Sequence, residues 1–272
     1  MSRLCIVTAL PAETRPLLDA LTLRQSKARH LRLYGSPDYL LLETGVGKLN
    51  AAAAVGAVLQ AHPEIDMVAN LGIAGGLFDY ADVRVAHHVK DNASGAQWFP
   101  HLPHDKAFRD VATASVSTRD TPDTQYCEGV LFDMEAAGVF NAACRYLSTS
   151  QVHSIKVVSD NPECDITSVT SKSVITLVEQ ALPAILPLLE ALQTLDLTTG
   201  HEQKIRIEAF INQITHTTHH SVNDKQLLTQ LVQQHVAISN ELPSIDNPTG
   251  SAKDIRRTLK RSLSLLSFVY GS

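Results

Sequence analysis

The sequence predicts an α/β protein, a sheet with helices on both faces, followed by a C-terminal all-helical appendage. Two observations carry the first half: short β-rich runs alternate with helical segments between Leu4 and Leu195, and the runs end in glycine or Ser-Asp junctions. A third carries the second half. Beyond Leu195 the strand signals stop and the chain turns polar, Gln-rich and helical.

Leu4 to Thr8 is a β-rich run closed by Ala9-Leu10-Pro11, and Ala12 to Leu21 then has apolar residues at helical spacing, which puts Glu13 at a loop-to-helix junction. Leu31–Tyr34 and Tyr39–Glu43 read as a hairpin around Gly35-Ser36-Pro37-Asp38. TGVGKLN then leads into an Ala-rich helix from about Leu49 to Gln60, and Asp66–Asn70 is a strand expected to end in LGIAGG. There Gly72, Gly75 and Gly76 allow close backbone approach to a ligand or the positive φ of a glycine turn. Val83–Val89 and Ala112–Ser117 are strands flanking a loop, QWFPHLPHD, that holds the only tryptophan. Cys127–Phe132 is a further strand, Met134–Tyr146 a helix, and Val152–Val158 an apolar strand ending at Ser159-Asp160-Asn161-Pro162. In the helix from roughly Val169 to Leu195, Pro183 and Pro187 predict a kink or break.

Residues 1–196 therefore form one domain and 201–272 a helical extension, with Leu197-Thr198-Thr199-Gly200 as linker. The extension reads as helices Gln203–Thr215, Asp224–Ser239 and Asp254–Phe268, with a Pro-containing loop at Glu241–Gly250. Leu227, Leu228, Leu231, Val232 and Val236 give the middle helix a stripe for packing on the sheet domain or a second subunit.

At 272 residues and 44% hydrophobic, the chain is long enough for one large core. A net charge of -5 argues against nucleic acid as the main partner and for a small ligand. With no cleavage site after the first apolar run and no later segment read as apolar for the ~20 residues of a membrane span, the chain reads as soluble and cytoplasmic, with no membrane partner. Cys5, Cys127, Cys144 and Cys164 lack metal or disulfide spacing.

Four stretches carry possible chemistry. FDMEAA places Asp133 and Glu135 where a strand end turns into a helix; they are either acids that suit a helix N-terminus or include one carboxylate that holds a sugar diol. GVGKLN lacks the spacing of a triphosphate loop, and a tight strand-to-helix turn is the better reading. His216, His219 and His220 have a helical ligand spacing with no Cys or acid to complete a set, so an exposed face is favoured over a metal. Trp98, Phe99, His101 and His104 form either a packed loop or a stacking wall for a base.

ALPAE, GVGKLNAA, NLGIAGGL, FDMEAA and VVSD, in that order across residues 1–196, resemble the nucleoside phosphorylase/nucleosidase superfamily, nearest its methylthioadenosine/S-adenosylhomocysteine nucleosidase branch. The resemblance implies an α/β sandwich around a mixed, partly barrel-like sheet and a metal-free, cofactor-free site. It implies that Glu13 activates water, Asp160 protonates the purine, Glu135 binds the ribose hydroxyls and Met134 packs on the sugar. It further implies a base pocket drawn from Leu10, Ile73, Ala74, Gly75, Phe132 and Ser159, and a homo-oligomer, a dimer. Asp133 stands where these nucleosidases more usually have Glu and is left as the structural cap.

Such chemistry makes physical sense, because cleaving an N-glycosidic bond builds positive charge on the sugar and negative charge on the base. Phosphorylases of the superfamily bring an arginine and a hydroxyl to hold phosphate, and Asn70 and Ile73 stand there instead, which favours water. Hydrolysis of a purine nucleoside or 5′-thionucleoside is thus the leading expectation. Phosphorolysis, and a nucleoside-binding protein with lost or weak catalysis, are the alternatives.

Overall fold

The computed structural model describes residues 3–26, 31–195, 197–216, 220–239, 241–245 and 251–270. They divide into two compact units, Met1–Leu197 and Thr198–Ser272.

In the first unit the strands are β1 (Arg3–Thr8), β2 (Arg24–Gln25), β3 (Arg32–Gly35), β4 (Tyr39–Glu43), β5 (Ile65–Gly76), β6 (Val83–Asp91), β7 (Gln97–Trp98), β8 (Thr113–Thr118), β9 (Val130–Asp133) and β10 (Val152–Asp160). The helices are α1 (Pro11–Ala20), α2 (Lys48–Ala61), α3 (Lys106–Arg109), α4 (Ala136–Ala143) and α5 (Ser171–Thr194). All ten strands join one mixed sheet. Five of them, β5, β10, β6, β8 and β9, close a ring, because β10 pairs with both β6 and β5 while β9 pairs with both β8 and β5. From β5 the sheet then runs outward through β1, β4, β3 and β2.

Alternation along each strand sends side chains to two helix layers. Cys5 and Val7 of β1 join Val55 and Val58 of α2 and Val139 and Phe140 of α4 on one face. Leu4 and Ile6 join Leu17 of α1 and Leu177, Ile185, Leu188 and Leu192 of α5 on the other. Being buried on both faces explains why the central strands read as continuous apolar runs.

Several expectations need correction. β5 does not end at Asn70 but continues through LGIAGG to Gly76. The glycines sit inside a strand, packed closely against neighbouring side chains, rather than in a turn. α4 is shorter than expected: Met134 and Glu135 precede its first residue, Ala136. α5 is unbroken across Pro183 and Pro187, the packing of its apolar stripe on the sheet outweighing two lost backbone hydrogen bonds. It is also long and apolar enough to cross a membrane by length and composition, contrary to the reading that no segment is. Its apolar residues line the sheet core instead. The QWFPHLPHD loop contains β7 and leads into α3, and it is a packed loop: Phe99 stacks on His88 at 4.7 Å between ring centroids and Trp98 lies against Phe140.

The second unit comprises α6 (Leu197–Thr215), α7 (Val222–Ser239) and α8 (Ala252–Tyr270). α6 starts at Leu197, so the expected linker is helical. Leu228, Val232 and Val236 of α7 are buried with Ile211, Ile214, Ile255 and Leu259 in this unit's own core, which uses the stripe locally. Among its described residues there is no strand. His219 and residues 246–250 of the Pro-containing loop lie outside the described residues.

Candidate active site

The site is built where β5 changes neighbours. On one edge β5 pairs with β10 from Val68 to Gly75; on the other it pairs with β1 up to Asn70 and with β9 only from Gly75. Between these points the edge is open, and the N–H of Ile73 donates to Glu13 Oε1 at 2.9 Å. Glu13 lies in the first turn of α1, where its Oε2 also accepts the N–H groups of Ala9 and Leu10, each at 2.9 Å. The unpaired amides of a helix start and of a parted strand thus converge on one carboxylate. Glu13 is only 2% exposed. Burial raises its carboxyl above the usual range, opposed by the three amides and by Lys156. Gly72 makes room: a Cβ there would stand 2.9 Å from Glu13 Oε1.

The β9–α4 junction supplies the next groups. Asp133 Oδ2 accepts the N–H of Ala136 at 2.7 Å and the ammonium of Lys156 at 2.8 Å, while Oδ1 accepts the Thr118 hydroxyl at 2.7 Å. It thus serves the unpaired amides at the start of α4 from two residues ahead of the N-cap, Glu135, and is part of a buried ion pair. Burial alone would raise the Asp133 carboxyl, but Lys156 and the hydrogen bonds outweigh it and hold the group below its ordinary range.

Glu135 turns the other way, its Oε1 accepting the N–H of Gly47 at 2.7 Å. Gly47 has φ of +100°, open to glycine and resisted by other residues. The contact needs α2 and α4 in near backbone contact, which Gly138 permits; a Cβ there would fall 2.1 Å from the Lys48 carbonyl oxygen. Burial, then the neighbouring Asp133, pushes the Glu135 carboxyl up to about 7.

Asp160 ends β10 and is 3% exposed. Its Oδ1 accepts the Ser159 hydroxyl and its Oδ2 the Tyr126 hydroxyl, both at 2.5 Å. Burial, followed by the bond to Asp160, pushes the Tyr126 phenol up. Phe132 lies beside Tyr126 and carries the Arg119 guanidinium 4.2 Å above its ring.

Leu10, Glu13, Ile73, Ala74, Gly75, Phe132, Met134, Glu135, Ser159 and Asp160 line a single cavity of about 220 Å³. Every residue that the family resemblance nominated for catalysis, ribose or base is therefore among its lining. Trp98, Phe99, His101 and His104 are not among its lining. Sequence reasoning missed Arg119, Asp123, Tyr126 and Lys156. A signal for Lys156 existed: a lone lysine in the apolar run VHSIKVV must find a carboxylate if buried. The GVGKLN lysine, Lys48, is paired with Asp91 at 2.8 Å and Asp120 at 2.9 Å. Asn70 is tied at both ends of its amide, donating to the Val7 carbonyl at 3.3 Å and accepting from Ser154 at 3.1 Å. Among the described residues no His, Cys, Asp and Glu cluster is placed to hold a metal ion.

No protein-family model matches the chain, and no curated protein matches it by sequence. Solved structures match its fold. The 5′-methylthioadenosine nucleosidase of Arabidopsis thaliana in apo form superposes with a TM-score of 0.63 at 18% identity, covering 73% of this chain and 98% of that one. The methylthioadenosine/S-adenosylhomocysteine nucleosidase of Colwellia psychrerythraea 34H, in complex with adenine, gives 0.59 at 19% identity, over 70% and 96%. A futalosine hydrolase mutant of Helicobacter pylori gives 0.56 at 10%, over 70% and 99%. At such identities the likeness establishes a shared fold, the nucleosidase-type α/β sandwich.

Proposed function

We propose that this chain is an N-ribosyl hydrolase that releases the base from a purine nucleoside or 5′-thionucleoside. The observation that carries the reading is the convergence of Glu13, Glu135 and Asp160 on one cavity, with Glu13 held by three backbone amides. In this reading the ribose hydroxyls donate to Glu135 and the sugar rests on Met134. As the C1′–N9 bond breaks, its electron pair leaves with the base, and Asp160 delivers a proton to the purine ring. Water adds its oxygen to C1′ and gives its proton to Glu13. A buried carboxylate with a raised affinity for protons suits that last step.

The tied amide of Asn70, and an Ile73 whose N–H is already given to Glu13, favour water over phosphate as the nucleophile. That the matched folds include named nucleosidases, one of them in complex with adenine, supports the substrate class. Val46, which lines the cavity, and Leu49 are 45% and 80% exposed, and such apolar exposure beside a site supports a second copy of the chain there. We place this homodimer in the cytoplasm.

The experiment is base release from a nucleoside panel by the purified full chain, with and without inorganic phosphate. Turnover without phosphate, abolished in Asp160→Asn with the fold intact, is the expected result. A strict phosphate requirement would assign phosphorolysis, and binding without any base release would assign a ligand-binding protein.

A further inference from the structure

The Arg119 guanidinium lines the cavity and sits on the face of Phe132. Its side chain is 21% exposed, and among the described residues it makes no hydrogen bond. Nε is buried without a partner, its ion-pair contact Asp123 Oδ2 standing 3.7 Å away. A guanidinium stacked on a ring has that face covered and its N–H groups directed in its own plane, so the donor edges remain available. Its nearest carboxylate, Asp123, gives Oδ1 to the Gln125 N–H at 2.9 Å and leaves Oδ2 beyond hydrogen-bond reach of Arg119. The guanidinium therefore brings to this end of the cavity donors that no acceptor among the described residues takes up. This is the end at which Phe132 adjoins Tyr126, whose hydroxyl touches Asp160.

We propose that Arg119 reads the exocyclic group of the leaving base, so that the site prefers a 6-oxopurine to a 6-aminopurine. The inference rests on the nucleosidase reading above. In a purine the exocyclic group at C6 neighbours the ring nitrogen N7, and the two together form the edge that arginine recognises when it pairs with O6 and N7 of guanine. An oxo group accepts from the guanidinium; an amino group presents hydrogens to a side chain that has only donors. The preference grows during reaction. When the C1′–N9 bond breaks, part of the negative charge on an oxopurine moves to its exocyclic oxygen, where a fixed cation stabilises it more than in the ground state.

The test compares kcat/KM for inosine and adenosine, each with a 5′-hydroxyl or a 5′-methylthio group, in wild type, Arg119→Met and Arg119→Lys. Titration calorimetry of free hypoxanthine and adenine runs in parallel. Wild type is expected to favour the oxopurine by about ten- to a hundredfold, the range of a good arginine–base pair. Arg119→Met should bring the ratio near one, and Arg119→Lys should keep part of it. Circular dichroism confirms that each variant is folded. A wild-type preference for adenosine, or a ratio unmoved by Arg119→Met, overturns the proposal. If no nucleoside is cleaved but hypoxanthine binds better than adenine in an Arg119-dependent way, the hydrolase reading falls and the base reading stands. If neither base binds, the base reading falls as well.

Discussion

Replacing Lys156 by methionine tests the electrostatic logic beneath the site. The lysine is 1% exposed and its partner Asp133 lies 2.8 Å away with a fully buried side chain. Methionine keeps most of the volume and removes the charge, leaving Asp133 buried and unpaired. Breaking a buried pair from one side costs about 3–5 kcal/mol. At roughly 2–4 °C per kcal/mol for a unit of this size, the melting temperature should fall by about 6–20 °C. Trp98, the only tryptophan, packs on Phe140 in the first unit, so its fluorescence reports unfolding of that unit. The double variant Lys156→Met/Asp133→Asn removes both charges and should recover much of the loss, a strongly non-additive cycle. pH supplies a second check. In wild type the depressed Asp133 contributes stability above its unfolded pKa near ~3.9 that is lost as pH falls through the folded value. In Lys156→Met the unpaired carboxylate gains from protonation instead, so the gap between variant and wild type should narrow toward acid. A loss under about 1 kcal/mol, or an additive double variant, would refute the argument, because the pair would then be solvated or absent.

Two further outcomes follow from the same geometry. Because the Glu135 carboxyl is raised to about 7, its contribution to apo stability is present at low pH and lost as pH rises through that value. Glu135→Gln should therefore raise the melting temperature at pH 8 and lose that gain toward pH 4.5, and if Glu135 holds the ribose as proposed it should also raise KM. Gly138→Ala drives a methyl into the Lys48 carbonyl, so α2 and α4 must part and Gly47 must draw back from Glu135. A destabilisation of about 1–3 kcal/mol in urea unfolding, together with a raised KM, is expected.

The candidate site residues came from the resemblance of five ordered motifs to a known superfamily, each motif a short local stretch. Glu13 lies just past a helix start, Glu135 just past a strand end, and Asp160 closes an apolar run, and the structure lines one cavity with all three. The missed residues act through partners far away in the chain. Lys156 meets Asp133 across the sheet, and Tyr126 and Arg119 reach Asp160 and Phe132 from a loop without periodicity. β5 was cut short because LGIAGG has the composition of a turn. Its glycines answer instead to the Glu13 and Asp160 side chains pressed against them, a tertiary demand that local propensity does not encode. The unbroken α5 follows the same pattern, its two prolines outweighed by burial against the sheet.

The parting of β1 and β9 along β5 has a consequence for how fast the site can respond. Active sites often take their backbone donors from loops, which must be ordered before each turnover. Here the donor of Ile73 belongs to a strand held along its opposite edge by β10, so it is in position before any ligand arrives. Its amide should exchange with deuterated solvent as slowly as those of the ladder around it, although its acceptor is a carboxylate and not a strand. A carboxylate gripped in this way is already assembled in the unliganded fold, so under the proposed reaction no ordering step precedes its use.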